Sequence, residues 1–176
     1  MISQWDRQSC RRRITTILAT AILLHNTEEW FALGQMPEVL PQLRELFGLP
    51  MPIRDLAAVR AGIVAFTAFP LVILWRFAAK PTPRLTFLAC MIAAMTATNA
   101  LVPHIALAVA TGGYVPGLLS AVLLTLPVGA AVLVRARAEA WLPRGAWRAA
   151  ILAGVLLLPA VLTGFWALGE LIAELA

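Results

Sequence analysis

The chain has 176 residues, of which 61% are hydrophobic and only 13% are charged. A water-soluble domain carries about 45–50% apolar and about 25% charged residues, so this composition excludes an ordinary soluble domain and indicates that the solvent is largely lipid. The net charge of +5 does not indicate a nucleic-acid partner, because the basic residues lie in short clusters between apolar runs, as in the loops of membrane proteins.

Five apolar segments are each long enough to cross a membrane as a helix, which takes about 20 residues. In chain order they cover residues 14–33, 56–77, 85–111, 115–134 and 147–171. The sequence therefore predicts an all-α fold, a polytopic membrane helix bundle with five transmembrane helices. Its parts are a basic cytoplasmic tail at 1–13, a four-span membrane domain at 14–134, and a cytoplasmic loop with an additional fifth span at 135–176.

A cleaved signal peptide is the alternative interpretation of the first segment, because three arginines precede its apolar run. No small-x-small cleavage site follows that run, and a pair of glutamates would be unusual there. We therefore expect this segment to remain as a span.

The loop after the first span carries apolar residues at helical spacing and a proline suited to a helix start. These residues are Val39, Leu40, Leu43, Leu46 and Phe47, with Pro41 as the proline. We expect a short amphipathic helix on the outer surface, where it would cover any opening of the bundle.

The distribution of lysine and arginine predicts the orientation in the membrane. Eleven of the 14 basic residues lie in the N-terminal segment and in the loops after the second and fourth spans, and the other three are Arg44, Arg54 and Arg60. Basic residues concentrate in cytoplasmic loops, so the N-terminus is expected in the cytoplasm. With five spans, the C-terminus then lies outside. The predicted location is the cell membrane, as a multi-pass protein in contact with membrane lipid.

Polar residues interrupt the apolar spans at one level, in the outer half of the bilayer. In the first span, His25, Glu28 and Glu29 fall within about 100° of one helix face. In the third span, Asn99 reaches the same depth and His104 lies nearer the outer surface, at about 1.5 Å of rise per residue. Side chains from two spans are therefore expected to converge.

The third span contains a proline between its two polar residues. Asn99 and His104 are five residues apart, which is about 140° on a regular helix. Pro103 has no amide hydrogen to donate to the carbonyl of Asn99, so a kink or a widened turn is expected there. Such a distortion would bring both side chains toward one cavity.

Two further residues approach the same level. Arg60, near the outer end of the second span, is expected to pair with Glu28 or Glu29, since ionisable groups in membranes usually pair. Tyr114 lies in the loop between the third and fourth spans, on the same outer side.

The polar cluster has functional and structural interpretations. A histidine followed at i+3 and i+4 by glutamates resembles carboxylate metal sites in helical bundles. Together with His104 and Asn99, the cluster would supply nitrogen and oxygen donors for one divalent metal ion, such as zinc, manganese or iron. Without a metal, a buried glutamate can serve as a general acid or base. The structural alternative is a polar network that joins the first three spans.

Three short motifs follow one another in a recognisable order. They are HNTEE at 25–29, the pair Asn99 and His104, and a loop with Tyr114, Pro116 and Gly117. In order and spacing they resemble the HXXEE-motif integral membrane proteins, a family named for the first motif, over residues 14–134. The separation of Asn99 and His104 is five here, against four in the family pattern. The resemblance implies a membrane domain with histidine, glutamate and asparagine residues as a suggested active site.

The leading hypothesis is an intramembrane enzyme that acts on a lipid or another apolar small molecule. One form of this hypothesis includes a bound metal ion. Glu28 or Glu29 would be the general acid/base or a metal ligand, His25 and His104 would be ligands or proton carriers, and Asn99 would orient by hydrogen bonding. Arg60 and Tyr114 would support the site. The alternatives are a proton-coupled small-molecule transporter that uses the same carboxylates, and a structural membrane protein without catalysis.

Overall fold

The fold is taken from a computed structural model that describes residues 4–36 and 56–175, with side chains from residue 9 onward. These residues form five long helices and no strand. They are α1 (Gln4–Ala32), α2 (Leu56–Ala79), α3 (Pro83–Thr111), α4 (Leu118–Ala138) and α5 (Arg144–Leu175). The predicted all-α fold is confirmed for this part of the chain. The amphipathic helix expected at 39–47 lies outside the described residues.

Four of the helices, α2 to α5, are long and apolar enough to cross a membrane. Large apolar side chains stand exposed on their outer surfaces, among them Trp75, Val109 and Leu156, and such surfaces are typical of lipid-facing helices. The helix α1 has 29 residues, but the polar residues in its C-terminal third lower its hydropathy. The four apolar helices are characteristic of an integral membrane protein.

Residues that commonly begin helices or precede them stand at the start of α3 and before α4. The hydroxyl of Thr82 accepts a hydrogen bond from the amide of Leu85 at 3.2 Å, and Pro83 occupies the first turn of α3. The loop from residue 112 to residue 117 then returns the chain, and α4 begins directly after Gly117. Consequently this loop lies over the ends of both helices.

The bundle is arranged around α3, which packs against α2, α4 and α5, while α1 lies between α2 and α4. The main apolar core occupies the half of the bundle that contains the loops after α2 and α4. Its fully buried side chains include Leu18, Leu74, Phe77 and Val132. The polar cluster therefore lies in the other half, where the C-terminal part of α1 meets the loop between α3 and α4.

Helix α5 approaches its neighbours through glycines. A Cβ atom on Gly154 would lie 2.5 Å from the carbonyl oxygen of Met91 in α3. Gly169 is pressed in the same way against the backbone of α2 at Ala58. Small residues allow close helix contact within membranes, so α5 is held by backbone packing on α2 and α3, away from the polar cluster.

Candidate metal centre

Side chains from α1 and α3 form a buried polar cluster. His25, Asn99 and His104 are each at most 5% exposed, and the two imidazoles meet edge to face with ring centroids 4.6 Å apart. Glu29 lies one helical turn after His25. One donor atom from each of His25, Glu29 and His104 lies within 4.8 Å of the others. Three side chains of the types that bind metal ions thus share one small space.

The hydrogen bonds of the two histidines determine which ring nitrogens are free. The Nδ1 atom of His104 donates to the carbonyl oxygen of Pro116 at 2.8 Å, since a carbonyl can only accept. The Nδ1 atom of His25 lies 3.0 Å from the hydroxyl of Ser120, which itself donates to the carbonyl of Gly117. Both rings therefore carry their proton on Nδ1 and direct an Nε2 lone pair into the cluster. Metal-binding histidines usually have their second nitrogen held in this way.

The carboxamide of Asn99 lies between the two imidazoles. Its Nδ2 atom is 3.4 Å from Nε2 of His25 and 3.3 Å from Nε2 of His104. Its Oδ1 atom is buried and has no hydrogen-bond partner. The two Nε2 atoms consequently face one common point.

Gly117 lets the backbone lie directly against both rings. Its φ is +83°, a conformation that favours glycine. A Cβ atom there would lie 2.8 Å from Cε1 of His104 and 3.0 Å from Cε1 of His25. Any larger residue would push the imidazoles aside.

The distortion of α3 predicted at Pro103 is confirmed. Two helical stretches meet at a kink within Ala100–Ile105, where Val102 has non-helical dihedrals of φ −135° and ψ 112°. The regular rotation of about 140° between Asn99 and His104 is therefore not kept, and Nδ2 of Asn99 lies 3.3 Å from Nε2 of His104.

Glu28 does not join the cluster. Its carboxylate accepts hydrogen bonds from the hydroxyl of Tyr114 at 2.5 Å and from the amides of Leu119 and Ser120 at 3.2 and 2.8 Å. A carboxylate at the first turn of a helix is stabilised by the free amides and the helix dipole. The ligand group in the described residues contains Glu29 and not Glu28, so the structure separates the two glutamates that the sequence placed together.

The expected pairing of Arg60 with a glutamate is wrong for the described residues, where no ion pair joins Arg60 to Glu28 or Glu29. Arg60 instead donates from Nε to the carbonyl of Trp30 at 3.2 Å and stacks over the Trp30 ring at 4.1 Å from its centre. The reason is the rotation of α1, which turns Trp30 toward α2 and the glutamates toward α3 and α4.

Ser120 is a site residue that the sequence analysis missed. Its amide binds Glu28 and its hydroxyl binds His25, so it links the start of α4 to both acidic and basic groups of α1. Serine is common in membrane helices as a hydrogen-bonding residue, and its position three residues after Gly117 is the only signal for it.

Two spaces adjoin this part of the bundle. A cavity of about 20 Å³ lies beside Glu29 and His104, which is enough for one water molecule. A larger groove of about 420 Å³ runs between α1 and α2, lined by residues that include Asn26, Trp30 and Thr67. Asn26 and Trp30 are turned by about 100° on α1 from their neighbours His25 and Glu29, which do not line the groove, so the groove is separate from the cluster.

A family model described as a protein of unknown function with HXXEE motif matches residues 16–132, about two thirds of the chain, and α5 lies beyond the match. No curated protein and no solved structure matches the chain. The resemblance noted in the sequence is confirmed, and the chain belongs to the HXXEE family.

Proposed function

We propose that the protein is a membrane enzyme with one divalent metal ion held by His25, Glu29 and His104. The observation that carries this proposal is that one donor atom from each of His25, Glu29 and His104 lies within 4.8 Å of the others, while Nδ1 of His104 is held by Pro116 and Nδ1 of His25 by Ser120.

The donor set fits a catalytic metal. Two imidazoles and one carboxylate are the protein ligands of catalytic zinc sites and of non-haem iron sites, which leave at least one position open. A metal ion bound there would supply Lewis acidity for polarising water or a carbonyl group. The cavity of about 20 Å³ beside Glu29 and His104 is large enough for one water molecule.

The reaction class that fits these parts is hydrolysis of a lipid or another apolar small molecule. The cluster is enclosed by helices whose outer surfaces are apolar, and the side chains of Leu101 and Val102 at the kink of α3 are exposed. A substrate reaching the cluster between the helices would come from the bilayer or from its outer surface.

The proposal includes five spans with the N-terminus in the cytoplasm. The side chains of α1 that point away from the bundle include Ile17, Leu23 and Leu24, whereas His25 and Glu29 turn inward. A helix with this division can cross the bilayer although its mean hydropathy is low, because its polar groups face the protein interior.

The test is the metal content of protein purified in detergent without chelators, measured by mass spectrometry. We expect about one equivalent of zinc or iron in the wild type and almost none in His25→Ala and His104→Ala. The matched control is Asn26→Ala, which changes a buried polar residue next to His25 whose amide binds Thr67 at 2.7 Å outside the cluster. It should retain the metal.

Metal-free wild-type protein that gains no zinc or iron on reconstitution would contradict the proposal. So would histidine variants that keep their metal. A structural role predicts a different result, in which the two histidine variants lose thermal stability and the wild type binds no metal.

A further inference from the structure

We propose that the groove between α1 and α2 binds one anionic phospholipid, with an acyl chain along the groove and the phosphate at Arg60. The groove has a volume of about 420 Å³, which is in the range of small-molecule sites. It is distinct from the ligand group of His25, Glu29 and His104, none of which lines it. The inference uses the placement of α1 in the bilayer that the proposed function includes, and it does not depend on a metal ion.

The lining of the groove is mostly hydrocarbon. Seven of its ten residues carry aliphatic or aromatic side chains, among them Leu23, Phe31, Val64 and Leu71. Phe31 and Val64 are 61% and 59% exposed, so the groove is open on the side where these helices would meet lipid. An acyl chain can therefore enter it directly from the bilayer.

The polar residues of the lining bond to the protein itself. Nδ2 of Asn26 donates to the hydroxyl of Thr67 at 2.7 Å, and that hydroxyl donates to the carbonyl oxygen of Ile63 at 2.7 Å. The hydroxyl of Thr27 donates to the carbonyl oxygen of Leu23 at 2.7 Å. Because both hydroxyl hydrogens are used within the helices, the groove suits a hydrocarbon chain better than a polar solute.

The groove has the length of one acyl chain. Along α2 it extends to Leu71, which follows Arg60 by 11 residues, or about 16 Å of helix. One leaflet of the hydrocarbon core has about the same thickness, since the whole core is about 30 Å thick. Arg60 is the fifth of the 24 residues of α2, and a long basic side chain there reaches the headgroup boundary. A chain that starts at the level of Arg60 would thus end near the bilayer midplane.

Arg60 supplies a positive charge at the outer end of the groove. It precedes the lining residues Ile63 and Val64 by one helical turn, and its guanidinium lies 4.1 Å from the centre of the ring of Trp30, which also lines the groove. Its Nε donates to the carbonyl oxygen of Trp30 at 3.2 Å, which uses one of the five N–H donors. Among the described residues, the other four have no hydrogen-bond partner and no carboxylate forms an ion pair with Arg60.

The guanidinium is held in place for such a ligand. It stacks on Trp30, and Gly34 leaves room for it, since a Cβ atom on Gly34 would overlap Nη2 of Arg60. A group that is already ordered loses less freedom when it binds. Arginine pairs with phosphate through two parallel hydrogen bonds. A zwitterionic headgroup brings its own ammonium to its phosphate, so a headgroup with net negative charge is the better partner for Arg60.

The experiment is native mass spectrometry of the full-length protein in detergent, mixed with equal amounts of phosphatidylglycerol and phosphatidylethanolamine that have the same acyl chains. Arg60→Gln removes the charge, and Ala68→Phe fills the groove with a ring. The matched controls are Arg76→Gln at the other end of α2 and Ala130→Phe, an exposed alanine of α4 outside the groove. In a separate arm, glycerol phosphate competes as a phosphate without acyl chains.

We expect one phosphatidylglycerol per wild-type chain, bound about fivefold more tightly than phosphatidylethanolamine, which is the effect of one arginine near a charged headgroup. This preference should weaken at high salt. Arg60→Gln should bind both lipids equally, and Ala68→Phe should retain neither. The two controls should match the wild type, and glycerol phosphate should displace no lipid.

A preference for phosphatidylglycerol that persists in Arg60→Gln would overturn the assignment, and so would lipid retained by Ala68→Phe. Displacement by glycerol phosphate would mean a phosphate site without an acyl-chain groove, which overturns it as well. Circular dichroism shows whether each variant is folded. Should Arg60→Gln not fold, the salt dependence of the wild-type preference and the result for Ala68→Phe decide. Chelator-treated wild-type protein should bind the lipid equally well, so failure of the metal centre and failure of the lipid site are distinguishable.

Discussion

Two adjacent glutamates in α1 have different surroundings because consecutive residues on a helix point about 100° apart. Glu29 faces the imidazoles of His25 and His104. Glu28 faces the start of α4, where it accepts three hydrogen bonds. The motif therefore contributes one glutamate to the proposed metal ligands and another that holds the loop Tyr114–Gly117 over them.

Exchanging each glutamate for glutamine should separate these roles. Glu29→Gln should lose most of the bound metal and any hydrolytic activity, because a neutral amide is a poorer ligand than a carboxylate. Glu28→Gln should keep its metal and lose about 1–2 kcal/mol of stability, as for loss of a helix cap. Metal analysis and thermal unfolding in detergent measure both. Equal loss of metal in Glu29→Gln and Glu28→Gln would refute the assignment of different roles to the two glutamates.

The titration of Tyr114 reports on Glu28. It is the single tyrosine in the chain, and burial together with the hydrogen bond to the Glu28 carboxylate raises the pKa of its hydroxyl to about 12. A raised pKa means that the stabilisation is fully present below about pH 10 and is lost as the pH rises through 12. Tyrosinate absorbance should thus appear near pH 12 in the wild type and nearer pH 10 in Glu28→Gln. Identical titration curves for the wild type and Glu28→Gln would disprove the hydrogen bond between Tyr114 and Glu28.

We expect an added methyl group at Gly117 to weaken both metal binding and the stability of the fold. In Gly117→Ala the Cβ atom would meet both imidazoles, and the residue would be held at φ +83°. We expect at least about tenfold weaker metal binding and a loss of about 1–3 kcal/mol in stability. The matched control is Gly113→Ala in the same loop, where a Cβ atom meets nothing within 4 Å. Its metal affinity and melting temperature should equal those of the wild type.

Among the helices, α3 contributes most to the site because it is irregular. The position of a polar residue in a span can be read from the sequence, and the missing amide of Pro103 predicted a distortion. The form of the distortion could not be predicted, since a proline can produce a kink, a break or a π turn according to its packing. Here a kink at Val102, within Ala100–Ile105, brings His104 and Asn99 to one side.

Replacing Pro103 with alanine tests this account. The new amide can donate within the helix, which favours a regular α-helix and would rotate His104 away from Asn99 by up to about 140°. We expect metal affinity to fall while helix content, by circular dichroism, stays the same or rises. Pro159→Ala in α5 is the control, since that proline also lies inside a helix but away from the cluster. Unchanged metal affinity in Pro103→Ala would contradict the role of the kink.

At the scale of the whole molecule, the two halves of the bundle differ in polarity. The half that contains the loops after α2 and α4 is an apolar core, and the opposite half holds the polar cluster. Helix α5 lies outside the family match and packs on α2 and α3 through Gly154 and Gly169. We interpret α5 as a support for the shared domain and not as part of the site.

The proposed topology is tested by reporter fusions in bacteria. With five spans and a cytoplasmic N-terminus, alkaline phosphatase fused after residue 176 should be active and a fluorescent protein at that position dark. The same reporters inserted after residue 140, in the loop between α4 and α5, should behave in the reverse way. A fluorescent C-terminal fusion would mean an even number of crossings and would exclude α1 or another helix as a span.

The sequence by itself determined the helical class, the approximate extents of the apolar helices, the family and the small set of polar residues that could meet. These depend on local composition and on spacing along the chain, which hydropathy and helix geometry describe well. Only the tertiary structure decided that Glu29 rather than Glu28 joins the histidines, that Arg60 binds Trp30, and that Ser120 and Pro116 orient the rings. Those choices depend on the rotation of each helix and on the path of the Tyr114–Gly117 loop, which packing between distant segments sets.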